Sequence, residues 1–407
     1  MLGNTPTSQE IRVVMRRRAF IAVSAIILSA VTVVGSNAAD ASPSQKAKVH
    51  SAKVCATPTA GHAACMSRVR VDPNGKPVTN TAPKGYGPAD IQSAYKLSGL
   101  SAGGRTVAIV DAYDDPTAEA DLGVYRAKFG LPACTTANGC FKKINQRGTS
   151  TPPRVNTGWA QEISLDVDMV SAACPSCKIL LVEADSASFA DLGAAVNMAA
   201  SFNPAAISNS YGGGDAADST YGSYYNHPGI AVTASTGDSG YKGGSYPASS
   251  SYVTAVGGTS LVKATNARGW SETVWSGAGS GCTTLNTALA AASSFNTGCS
   301  GRAMADVSAV ADPATGVAVY DSTKSQGVGG WLQFGGTSAS APIIGSVYAL
   351  SGNTASYANA IPYAHTGSLF DVTSGSNGTC PTTQWCNARV GWDGPTGLGT
   401  PNGVGAF

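Results

Sequence analysis

Short runs of β-branched and other apolar residues alternate along most of the chain with segments whose apolar positions recur at helical spacing. Val107 to Val110, Ile179 to Val182, Ala206 to Ser208, Ile230 to Ala234 and Val317 to Tyr320 read as strands. Glu162 to Ala173 and Leu192 to Ala200 read as helices between them, and Ile343 to Leu350 as a further helix that Pro342 can start. This alternation predicts an α/β fold, a mainly parallel β-sheet flanked by helices. The pattern begins near Gly85, so residues 85–407 are expected to form the core domain. That exceeds the usual size of a single hydrophobic core, so long loops or a bound ion should help to hold it. No internal repeat is visible.

The N-terminal residues carry a different signal. Arg16, Arg17 and Arg18 precede an apolar run from Ala19 to Val34, and small residues follow around Ser36, Ala38 and Ala41. A secretory signal peptide over residues 1–41 is expected, because the run is shorter than the ~20 residues of a membrane span and cleavage-like small residues follow at once. Arg17 to Ile21 partly resembles a twin-arginine signal, so the export route stays open. Residues 42–84 are rich in Pro, Ala, Thr and Lys with little periodicity, and are expected to be a short leader or linker that is open to removal.

Composition supports an exported, folded protein. The 407 residues are 43% hydrophobic and 12% charged, well below the usual ~25% charged, so little of the surface depends on ion pairs. Lys and Arg total 26 against 24 Asp and Glu, a balance that gives no basic face for nucleic acid. The mature chain is expected to be a secreted, extracellular monomer that does not bind membranes. Its ten cysteines fall as local pairs: Cys55 with Cys65, Cys134 with Cys140, Cys174 with Cys177, Cys282 with Cys299, and Cys380 with Cys386. Sequence does not fix connectivity, but disulfides are the default for an even count in an exported chain. Cys174-Pro175-Ser176-Cys177 also has redox and zinc spacing. It follows a helix, however, where the dipole disfavours a thiolate, so a structural disulfide is expected.

Three segments can carry chemistry. In Phe334 to Pro342 a glycine turn runs into a helix, which puts Ser338 at a helix N-terminus. Backbone N–H groups there stabilise developing negative charge, as a nucleophilic serine needs; an N-cap hydroxyl is the structural alternative. None of the four histidines, His50, His62, His227 and His365, has a context that makes it a base, and each reads as a surface residue. Glu162 and Asp166 are four apart on one helix face. Paired carboxylates tend to share a proton, which suits a base working in acid, although this segment by itself favours a solvated acidic face. Asp238, in Ala234 to Gly240, follows a strand at its carboxyl end, where open parallel sheets bind ligands. Gly237 to Gly240 also resembles the serine motif of chymotrypsin-like proteases, and Gly61 to Cys65 faintly their histidine motif. That family is all-β, which the alternation here excludes.

Taken together, Glu162 with Asp166, Gly237 to Gly240, and Gly335 to Pro342 resemble the sedolisin (serine-carboxyl peptidase) family in identity and order. The resemblance covers residues 85–407 and implies a subtilisin-like fold with C-terminal calcium-binding loops. It implies Ser338 as nucleophile, Glu162 as general base and then acid, Asp166 as the group orienting Glu162, and Asp238 as oxyanion-hole donor. A carboxyl donates only when protonated, so activity is expected in acid, below about pH 5 given a reference pKa near 3.9. Gly85 to Tyr95 looks like the start of a mature family enzyme. Ser210, Tyr211 and Gly212 match the strand that pairs with substrate, with Tyr211 where tryptophan is common. Asp111 stands where a glutamate commonly extends the carboxylate chain.

The resemblance also implies one structural calcium ion held by Asp371 and Asp393 with carbonyls of Val372, Arg389 and Gly391, where composition alone gives two ordinary turns. Family members usually carry a long prodomain, whereas the interval from Ala41 to Gly85 is short; calcium and local disulfides are expected to take over its folding role. The resulting expectation is a secreted, acid-acting endopeptidase whose partners are polypeptide substrates. Two other readings remain: a catalytically silent binding protein on the same fold, and a non-peptidase serine hydrolase. The second lacks the Gly-x-Ser-x-Gly elbow and histidine it needs.

Overall fold

The structure is a computed structural model that describes residues 49–407. The expected signal peptide, residues 1–41, lies outside the described residues. At the centre is an eight-stranded sheet. Its strands run in the order Trp270–Val274, Thr254–Lys263, Ala231–Ser235, Ala206–Asn209, Thr106–Ala112, Lys178–Ala184 and Phe141–Asn145, and Val307–Val310 also pairs with Thr254–Lys263. All pairings are parallel except that of Trp270–Val274, which is antiparallel.

Strand alternation sorts the side chains to two faces. Val107, Ile109, Ile179 and Leu181 pack in one core with the helices Thr157–Ala173 and Thr337–Ser351. Ala108, Val110, Leu180 and Val182 pack in another with the helix Phe189–Ala200. Both faces of the parallel sheet are therefore covered, which is why its strands read as apolar runs rather than as alternating patterns.

Two helices position the chemistry, and both begin for local reasons. Asn156 caps Thr157–Ala173 by accepting from the N–H groups of Gly158 at 3.1 Å and Trp159 at 3.2 Å. The helix Thr337–Ser351 starts at Gly336, which has φ +101°, and ends at the left-handed Gly352. Pro342 lies inside it and does not start it. Proline has no N–H to offer the carbonyl four residues back, which is Ser338, and the Ser210 hydroxyl bonds that carbonyl at 3.3 Å instead.

The segment expected as a linker is built into the fold. His50–Lys53 pairs antiparallel with Arg68–Val71, which pairs in turn with Val328–Gly335 in a four-stranded sheet. Ala63–Cys65 pairs antiparallel with Tyr211–Gly214. These strands are short and their partners lie far away in sequence, so local periodicity carries no trace of them. All five cysteine pairs form disulfides at the expected local partners. Among the described residues no helix is long and apolar enough to cross a membrane.

Candidate active site

Glu162 and Asp166 sit one turn apart on the helix Thr157–Ala173, fully buried. The reading of a solvated acidic face is thereby overturned: the helix is packed on both sides, against Thr337–Ser351 and against the strand Val317–Ser325. The alternation Val107, Ile109, Asp111 turns Asp111 to the same side of the sheet, and it too is fully buried. No oxygen of these three carboxyls completes a hydrogen bond. Burial pushes Glu162 well up, Asp166 adds its charge, and the nearby Ser338 and Ser67 hydroxyls oppose the rise. Asp111 is raised by burial and then by Asp166 and Glu162, while Asp166 is raised by burial against the Ser210 hydroxyl. A buried cluster of this kind cannot ionise all its members, so it holds protons that it can exchange.

Ser338 is the second residue of its helix and is fully buried. Its Oγ donates to the Ser210 carbonyl at 3.1 Å, so the hydroxyl is parked beside Glu162 without closing a bond to it. The Ser338 N–H donates to the Met66 carbonyl at 2.9 Å. Beside that carbonyl stands Asp238, whose Oδ1 accepts from the Thr337 N–H at 2.8 Å and the Thr337 hydroxyl at 3.1 Å. Its Oδ2 is buried and has no partner. Burial pushes the Asp238 carboxyl up to about 7, against the pull of the Thr337 bonds and the Arg68 and Lys53 charges. Gly336 makes the approach possible: a Cβ there would overlap the Met66 carbonyl oxygen and stand 2.6 Å from Asp238 Oδ2.

The same site holds a strand. Ala63 opposes Gly213, Ala64 opposes Gly212 and Cys65 opposes Tyr211, and the Met66 N–H donates to the Ser210 carbonyl at 3.0 Å. The Met66 side chain lies against Gly212 and Gly237, next to a cavity of about 190 Å³ lined by Thr236 to Gly240 and Ser245. Ser210, Tyr211 and Gly212 thus meet an extended segment of the chain itself. Sequence reading missed Met66, Ser67, Gly336 and Thr337. The first two sit in a stretch without periodicity, and the last two were visible only as members of the Gly335 to Pro342 motif, without roles of their own.

Residues 155–364 match the Subtilase family. The chain belongs to that family. This subtilase is 30% identical over 365 residues to kumamolisin of Bacillus sp. (strain MN-32), a match covering 80% of the chain and 63% of kumamolisin. Over 110 residues it is 37% identical to tripeptidyl-peptidase sed1 of Aspergillus fumigatus, covering 25% of the chain and 16% of that protein. Its fold superposes on Pseudomonas sedolisin, a serine-carboxyl proteinase solved with pseudo-iodotyrostatin, at a TM-score of 0.66 and 26% identity, covering 79% of the chain and 96% of sedolisin. The subtilase therefore falls in the sedolisin branch. It spans less than two thirds of the length of kumamolisin.

No histidine of this subtilase serves the site. His50, His62 and His365 are exposed, and the half-buried His227 ring contacts the Tyr224 carbonyl at 2.9 Å. Tyr211 is buried, and its hydroxyl donates to Asn209 at 2.8 Å, so the ring braces the pairing strand from behind. Asp371 and Asp393 lie together near the C-terminus. The Gly391 N–H donates to Asp371 at 2.8 Å, and Asp393 Oδ1 accepts from Thr396. Burial pushes the Asp393 carboxyl up to about 7, and Asp371 adds to the rise. The carbonyls of Val372, Arg389 and Gly391 accept no hydrogen bond among the described residues. Two carboxylates and three carbonyls free of hydrogen bonds are the kind of oxygen donors that calcium takes; among the described residues no group of three or more His, Cys, Asp or Glu that could hold a metal ion is present.

Proposed function

We propose that the chain is a serine-carboxyl endopeptidase that hydrolyses peptide bonds in proteins through an acyl-enzyme on Ser338. The observation that carries this reading is the Met66 carbonyl. It lies on the Ser338 N–H, beside the free oxygen of Asp238, with the Ser338 hydroxyl and Glu162 in the same buried pocket. That is where a reacting carbonyl must sit for attack by Oγ. Glu162 takes the hydroxyl proton and returns it to the leaving amine. Asp166 and Asp111 share the cluster's proton and hold Glu162 in place. Asp238, neutral below about 7, donates from Oδ2 to the oxyanion alongside the Ser338 N–H.

Cleavage within chains is supported by the groove itself. The strand runs N-terminally from Met66 through Cys65, Ala64 and Ala63 to His62, which bridges to Ser188. More than three residues therefore fit ahead of the carbonyl, whereas removal of tripeptides needs a wall there. Acid action is supported by the raised carboxyls and secretion by the five disulfides. Residues 85–407 act as the catalytic domain. One calcium ion would be held by Asp371, Asp393 and the carbonyls of Val372, Arg389 and Gly391, where it offsets the two carboxylate charges and ties the C-terminal loops. Hydrolysis of an unfolded protein from about pH 2 to about pH 8 tests the reading. Acid-limited activity, lost in Ser338→Ala and Glu162→Gln, is expected; folded, calcium-loaded protein without activity at any pH would point instead to a silent binding protein.

A further inference from the structure

We infer that Asp115, Asp121, Asp168 and Asp321 form a second carboxyl cluster, a clamp that positions the base Glu162 against Ser338 and opens as the cluster ionises; the positioning role rests on the function proposed above. The four carboxyls come from four parts of the fold. Asp115 follows the strand Thr106–Ala112, Asp121 lies on the helix Ala118–Lys128, Asp168 on the helix Thr157–Ala173 and Asp321 on the strand Val317–Ser325, and all are buried. Asp168 is two residues on from Asp166, which puts it on roughly the opposite side of the helix that carries Glu162. It accepts from the Tyr320 N–H at 3.0 Å. Asp121 accepts from the Ser322 N–H at 2.8 Å and the Ser322 hydroxyl at 3.0 Å, and the Thr323 hydroxyl meets that of Thr117 at 3.2 Å. The strand so fastened pairs with Val328–Gly335, which runs directly into Gly336 and Ser338. These contacts hold the helix of Glu162 against the hairpin that ends at the nucleophile, and none touches the reacting atoms.

The clamp has too few donors for four carboxylates. The Thr117 hydroxyl lies 2.9 Å from Asp115 Oδ1 and 2.8 Å from Asp121 Oδ2. Its single proton satisfies one of them, and a proton on the Asp115 carboxyl supplies the other bond. Asp168 Oδ1 and Asp321 Oδ2 are buried with no partner, as is Nε2 of Gln161 beside Asp321. No cation answers them, because among the described residues none of the four carboxyls makes an ion pair. Arg126, which faces Asp168 together with Tyr125, is taken up by the Pro132 and Pro175 carbonyls and the Ser171 hydroxyl. Lys143 near Asp115 is taken up by the Asp115 carbonyl, Asp114 and Glu183. Asp115 and Asp121 both face Asp321. Burial raises Asp115 to about 6, Asp321 to about 7 and Asp168 well above the ordinary range, and the neighbouring carboxyls add to each rise. All three are neutral in acid, where the clamp is closed. As pH rises, opening to water is favoured, since each carboxyl returns there to its ordinary range and gives up its proton.

The experiment follows amide hydrogen exchange of the full chain as protection factors, together with the peptidase activity that survives incubation at each pH. Each carboxyl that releases a proton on opening weakens the closed form by about tenfold per pH unit, so protection of Val317–Ser325 and Val328–Gly335 should fall by at least about 10² from about pH 5 to about pH 8. That of Thr106–Ala112 should not follow. Asp168→Asn combined with Asp321→Asn keeps the acceptors and replaces the protons, so it should lose only about tenfold, the share left to Asp115, and should keep its activity longer at about pH 8. Asp321→Asn alone should fall between the two. Asp168→Ala drops the bond from Tyr320 and should loosen the hairpin at every pH, a defect that Asp168→Asn does not share. Wild-type protection that stays level, that falls equally in Thr106–Ala112, or that falls as far in the asparagine variants overturns the inference and leaves the proposed function standing. A hairpin that opens as described, in a chain that hydrolyses nothing at any pH, leaves the pH-sensitive clamp standing and overturns the proposed function and the positioning role with it.

Discussion

Asp238→Asn separates the oxyanion chemistry from everything else in the site. In the native protein Asp238 Oδ1 is occupied by two bonds from Thr337, so the proton of the neutral acid sits on Oδ2, the atom facing the Met66 carbonyl. Burial holds that proton up to about 7, compared with 3.8 in the open chain. Three pKa units correspond to about 4 kcal/mol in favour of the neutral form. The sign follows directly: a raised acid is neutral and able to donate below about 7, and ionised above it. Ionisation removes one oxyanion-hole donor, which costs about 10²–10³ in kcat, and adds a like charge beside the developing oxyanion. Rates on an unfolded protein should therefore fall by about tenfold per pH unit above about 7. The limit is higher than a reference carboxyl implies, because burial moves it. Asparagine accepts on Oδ1 and donates from Nδ2 at every pH. The variant should match wild type to within about tenfold in mild acid and lose the alkaline fall, leaving it more active than wild type at about pH 8. An unchanged alkaline midpoint would refute Asp238 as the titrating donor, and a variant inactive at all pH would refute donation as its role.

Further outcomes follow from the same geometry. Gly336→Ala places a methyl where the Met66 carbonyl rests, at φ +101°, so kcat should fall by at least about 10² with a modest loss of melting temperature; near-normal turnover would contradict the placement of the oxyanion. Burial raises Asp115 to about 6, Asp238 and Asp321 to about 7 and Glu183 to about 8. Folded values above the unfolded ones mean that stability is full below about pH 4 and declines as pH rises toward 8. Thermal melts of Ser338→Ala should therefore show a higher transition at about pH 4.5 than at about pH 8, and the reverse order would contradict it. A chelator should lower the melting temperature of the full chain, by about 2.7 kcal/mol of stability where calcium had been at 100 times its Kd. In Asp393→Asn the chelator should make no difference.

The sequence offered candidate residues for the site but not their wiring. Strand alternation along Val107 to Asp111 and the four-residue step from Glu162 to Asp166 could be read locally, because each is a periodicity of a single element. Their burial could not, since it depends on the helix being sandwiched between Thr337–Ser351 and Val317–Ser325. Pro342 suggested a helix start because proline tolerates the first turn. Only the contact of Ser210 with the Ser338 carbonyl shows why it sits further in. The N-terminal strands were invisible for a related reason: Ala63, Ala64 and Cys65 have no pattern of their own and become a strand only against Tyr211–Gly214.

The central claim is that Ser338 is acylated with Glu162 as its base. The direct measurement is an acid quench during turnover of a protein substrate, followed by the mass of the peptide that contains Ser338. An added acyl group on Ser338 in wild type, absent in Glu162→Gln, is the predicted result. Undiminished hydrolysis by Ser338→Ala, with no acyl group found on the wild-type serine, would contradict it.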